Sequence, residues 1–63
     1  DIATSRNLAH CYLFKNEYRE AIEIYQTLNS KEDMATLKEE LLYFEKQGFD
    51  KALIEKAIKE LNL

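Results

Sequence analysis

Sixty-three residues are enough for one small domain, and a chain this short buries only about 60% of the surface that its unfolded form exposes, so its core is small. With 46% hydrophobic and 33% charged residues, no Pro and one Gly, the composition suits packed helices and argues against disorder or a β-sandwich. Nine basic against twelve acidic residues leave a net charge of −3 and no basic surface for a phosphate backbone, so nucleic acid is not an expected ligand.

In chain order, the first predicted helix runs from Ile2 to Lys15, with Asp1 placed to cap its free amides. Leu8, Ala9 and Tyr12 mark its apolar face. Asn16 then ends it, because Asn enters the left-handed region at modest cost. A second helix is predicted from Glu17 to Asn29, its face marked by Tyr18, Ala21, Ile22, Tyr25 and Leu28. Ser30, followed three positions on by Asp33, forms a variant capping box ahead of the periodic set Met34, Leu37, Leu41 and Phe44. This third helix should stop at Gly48, whose missing Cβ permits a left-handed cap after Gln47. Asp50 caps a fourth helix carrying Ile54, Ala57, Ile58 and Leu61, with Lys51, Glu55, Lys56, Lys59 and Glu60 forming opposite-charge pairs four apart on its outer side. No apolar run approaches the roughly 20 residues of a membrane span, so membrane insertion is not expected. The chain starts at Asp1 without Met, which suggests a segment of something longer.

Chemistry is sparse. Cys11 is the only cysteine, so an internal disulfide is excluded, the cytoplasm is the favoured compartment, and Cys11 is expected to pack as a small hydrophobe on the first helix. His10 beside Cys11 makes neither a metal pair nor a nucleophile and base, since neighbours on a helix point about 100° apart. For the same reason Glu39 and Glu40 are expected on a solvated face, and Tyr43 with Phe44 as rim and core. Without a Gly-rich phosphate loop or ligand-spaced His and Cys, no catalytic residue, cofactor or metal is expected.

The stretch Asn7 to Leu28 resembles the tetratricopeptide repeat (TPR) family, a helix-turn-helix unit of about 34 residues. Leu8, Ala9 and Tyr12 meet the pattern of its first helix, Asn16-Glu17-Tyr18 its turn, and Ala21 with Tyr25 its second helix, all in one register. Ser5 stands where the family carries a large aromatic, and no Pro closes the unit. The resemblance implies an all-α, four-helix domain over residues 1–63: a TPR unit over 2–33, then a variant or capping hairpin over 34–63. In the second hairpin Lys56 falls where the family has a bulky apolar residue.

What the resemblance implies for function is a non-enzymatic protein-protein interaction module that holds a peptide or helix on its concave side. Position by position, Ala3, Arg6, His10, Leu13 and Phe14 would face that groove, with Asn7 at its edge. Arg6 and His10, four apart, could both donate to a carboxylate. Fewer than three repeats rarely suffice for independent stability, so self-association of the chain is also expected, or its service as the terminal cap of a longer solenoid with no ligand of its own. Glu45-Lys46-Gln47-Gly48-Phe49-Asp50 resembles, in addition, the Gly-Phe loop of ubiquitin-associated domains, which implies ubiquitin as an alternative partner.

Overall fold

The computed structural model describes residues 1–28 and 30–63, and the described residues form four helices and no strand: α1 (Ile2–Phe14), α2 (Tyr18–Tyr25), α3 (Lys31–Lys46) and α4 (Lys51–Leu61). Three of the four N-termini are capped by the side chains singled out above. The Asp1 carboxylate accepts from the Ala3 amide, Ser30 Oγ from Asp33 and Asp50 Oδ1 from Leu53, at 3.0–3.2 Å. α2 has no such cap; Glu17 leads in at φ −112° and ψ 64° with no side-chain hydrogen bond.

Three helices end in the same way. Asn16, Gly48 and Asn62 adopt φ of 69°, 95° and 64°. After each, the next amide reaches back to the carbonyl five residues earlier: Glu17 to Tyr12 at 2.9 Å, Phe49 to Phe44 at 3.1 Å, Leu63 to Ile58 at 3.0 Å. These are Schellman ends, and the apolar contact that accompanies such an end is present at the second one, where the Phe49 and Phe44 ring centroids lie 5.2 Å apart.

α2 is shorter than its periodicity predicts. It stops at Tyr25 because the last amides make tighter bonds, Thr27 to Ile24 and Leu28 to Tyr25, both at 3.0 Å, while the Thr27 hydroxyl donates to the Ile24 carbonyl at 2.7 Å. Asn29, the predicted end, lies outside the described residues.

The core gathers one face from every helix: Ala9 and Leu13 from α1, Ala21, Ile22 and Tyr25 from α2, Leu37 and Leu41 from α3, Ile54 and Ala57 from α4. α1 packs along α2 in one hairpin and α3 along α4 in the other, with α2 also meeting α4. There the Tyr18 hydroxyl donates to Glu60 at 2.8 Å, and Lys56 Nζ stands 4.3 Å above the Tyr18 ring. Lys56, read as one of the outer charged pairs of the fourth helix, thus lies over an aromatic face. Leu8, expected on the packed face of α1, is instead 49% exposed, because the buried arc of α1 runs through Ala9, His10 and Leu13 and, among the described residues, no other helix covers Leu8.

Candidate functional site

The site predicted on α1 is where the two hairpins meet. Arg6 and His10, one turn apart, point together toward α3, and the group they hold is Glu40. Arg6 Nε donates to Glu40 Oε1 at 3.1 Å and Nη2 to Oε2 at 3.4 Å, while His10 Nε2 lies 2.8 Å from Oε1. On its other side His10 Nδ1 lies 2.6 Å from the Tyr25 hydroxyl. An ionised carboxylate only accepts, so the proton between the two groups is on His10 Nε2; in the neutral imidazole Nδ1 is then the acceptor for the Tyr25 hydroxyl. Phe44 closes the ring edge-on, its centroid 4.9 Å from that of His10. The result is a chain of hydrogen bonds through three helices, Arg6 and His10 to Glu40 and Tyr25 to His10, and no buried side-chain polar atom among the described residues lacks a partner.

The electrostatics follow from this geometry. Burial works to raise the Glu40 carboxyl, but the hydrogen bonds from His10 and Arg6 and the guanidinium charge outweigh it and hold the group below its ordinary 4.5. Burial, and then the nearby Glu40 charge, pushes the Tyr25 phenol far above its usual value. The cluster ties α1 and α2 to α3.

The structure therefore corrects three expectations. The α1 face expected to be open is closed at His10, which α3 meets through Glu40 and Phe44, and at Leu13, which is fully buried. Glu40, expected in solvent, is the carboxylate that Arg6 and His10 hold, whereas its neighbour Glu39 does face water. Cys11, expected to pack, is an exposed free thiol. Of the remaining predicted residues, Ala3 and Asn7 are exposed and stand apart from the network.

Phe14 leads to a second feature. Its ring meets Phe44 at 5.3 Å and Phe49 at 4.7 Å between centroids, so the ends of α1 and α3 share an aromatic cluster. Phe49 remains 44% exposed and, with Leu13, Phe14, Asn16, Asp50 and Leu53, walls an open groove of ≈ 370 Å³ between the two interhelix turns. Phe49 was legible only as part of the Gly-Phe loop; nothing in the periodicity of either helix pairs it with Phe14.

No family model matches the chain, and no curated protein or solved structure matches it. Among the described residues no three His, Cys, Asp or Glu side chains are grouped to hold a metal ion, and no helix is long and apolar enough to cross a membrane.

Proposed function

We propose that this chain is a non-catalytic protein-protein interaction module that docks a peptide or helix of a partner protein in the groove between its two turns. The observation that carries this reading is Phe49, a large aromatic left 44% exposed with its ring tilted against Phe14, in a groove whose apolar side chains Phe14, Phe49 and Leu53 stand beside Asn16 and Asp50. An apolar anchor side chain fits against Phe14, Phe49 and Leu53. Asp50 favours a Lys or Arg next to that anchor, since its carboxylate gives only one oxygen to the Leu53 amide. The resemblance to TPR units supports the class, a helical module that binds other proteins, and the placement moves from the middle of α1 to its end.

The test is selection from a displayed peptide library followed by amide-shift mapping. Peptides with an apolar anchor beside a basic residue should shift Phe14, Phe49 and Leu53. Phe49→Ala should weaken them at least about tenfold, and Asn7→Ala should leave them unchanged. Shifts centred elsewhere, or affinity indifferent to Phe49→Ala, overturn the placement.

A second reading rests on the other flank of α1, where Ile2 and Leu8 are about half exposed. A preceding hairpin in a longer polypeptide would cover them, and the segment would then serve as a solenoid cap. Slowed amide exchange around Leu8 in a longer polypeptide, relative to the 63-residue chain, supports that reading.

A further inference from the structure

The outward face of α3 carries a stripe that neither the core nor the groove uses. Glu39, Leu42, Tyr43 and Lys46 follow the spacing i, i+3, i+4, i+7 and so share one side of the helix. Leu42 is 45% exposed and Tyr43 58%, and with Glu39, Glu45 and Lys46 they border a shallow depression of ≈ 470 Å³ built from α3 alone. An apolar pair bracketed by charges of opposite sign is complementary to its own reverse. The midpoint of the stripe falls between Leu42 and Tyr43, and Glu39 lies as far before it as Lys46 lies after it, about 5 Å along the axis.

We infer that this stripe joins two copies of the chain, α3 against α3, antiparallel about a two-fold axis between Leu42 and Tyr43. In that arrangement Leu42 of each copy packs on Tyr43 of the other, and Glu39 of each faces Lys46 of the other, so both charge contacts are satisfied by one operation. A parallel pairing sets Glu39 on Glu39 and Lys46 on Lys46 and is disfavoured. One short stripe on one helix buries much less than the roughly 800 Å² per partner of a standard interface, so the dimer is weak, with a dissociation constant on the order of 100 µM. The surface is separate from the groove at Phe49, so the two assignments stand or fall independently.

Sedimentation equilibrium from about 10 µM to about 2 mM, in low salt, reads the association directly. The wild-type chain should pass from monomer to dimer. Leu42→Lys should abolish dimer across this range, and Phe49→Ala should leave it unchanged. Glu39→Lys alone and Lys46→Glu alone should each weaken the dimer at least about tenfold by setting like charges against each other. Mixing those two variant chains returns opposite charges to both contacts, and the mixture should dimerise within about threefold of wild type. All these positions are exposed, and helical circular dichroism should show each variant folded. A chain that stays monomeric throughout overturns the inference and leaves the stripe to a different partner. Dimers indifferent to Leu42→Lys, or variants that mixing fails to rescue, overturn it as well.

Discussion

Among the described residues two polar links join the hairpins, built from similar residues but set in different surroundings. Between α1, α2 and α3, the Glu40 carboxylate sits against Arg6 and His10, with Tyr25 behind, in a place that water reaches only in part. Between α2 and α4, the Glu60 carboxylate takes a proton donor from Tyr18, with Lys56 over the ring, at the open surface. Each holds a Glu, a Tyr and a cation. In the first the imidazole and the phenol are shut off from water while the Arg6 and Glu40 side chains keep 14% and 31% of their exposure, so water replaces a lost partner only in part. In the second water substitutes for any member that is lost, so the contact sets orientation and adds little stability.

Breaking the buried link should therefore cost most. Glu40→Ala leaves a guanidinium and an imidazole N–H facing each other without an acceptor, and should lower stability by about 2 to 4 kcal/mol in urea unfolding. Replacing Arg6 and His10 together by Ala should destabilise the fold to a similar degree, since Glu40 is then left unpaired. Tyr25→Phe keeps the ring in the core but takes the donor from His10 Nδ1, at about 1 to 2 kcal/mol. A Glu40→Ala chain as stable as wild type would show that the link is no more than a surface ion pair.

The difference between the links also explains what could be read in advance. Ends of elements were legible: Asp1, Asn16, Ser30, Gly48 and Asp50 act where their own chemistry dictates, within three residues of the backbone groups that they satisfy. Core residues were legible where helix periodicity marks them, as at Leu37, Leu41, Ile54 and Ala57. Glu40 was not, because no local pattern separates it from Glu39; only the approach of α1, 34 positions away in sequence, makes one an anchor and leaves the other in water. Arg6 and His10 were legible as a pair of donors, but what they donate to lay on another helix. Leu8 and Cys11 were misplaced by the reverse error, since a period says which residues share a face and not whether anything covers it.

Titration sharpens the comparison. The folded-state pKa of Glu40 is depressed, so the link contributes stability above the ordinary carboxylate pKa and loses it as pH falls through the lower, folded value. Between about pH 5 and pH 3 wild type should lose more stability than Glu40→Gln, and parallel curves would mean that Glu40 is no better held in the folded chain than in the unfolded one. Tyr18 runs the other way. Burial, together with its hydrogen bond to Glu60 and the charge there, pushes it up to about 12 from 10.0, so its contribution is present below pH 10 and fades as pH rises toward 12.

The smallest effect belongs to the surface link itself. Tyr18→Phe removes the donor to Glu60 but leaves the ring under Lys56, and water then solvates the Glu60 carboxylate at once. The cost should stay within about 0.5 kcal/mol, as expected for an exposed charged contact. Lys56→Ala on that background tests what remains, the cation over the ring, and should add no more than about 0.5 to 1 kcal/mol. If either change destabilised the chain as much as Tyr25→Phe, exposure could not be what separates the two links, and the α2 and α4 contact would have to be excluding water far better than its open geometry allows.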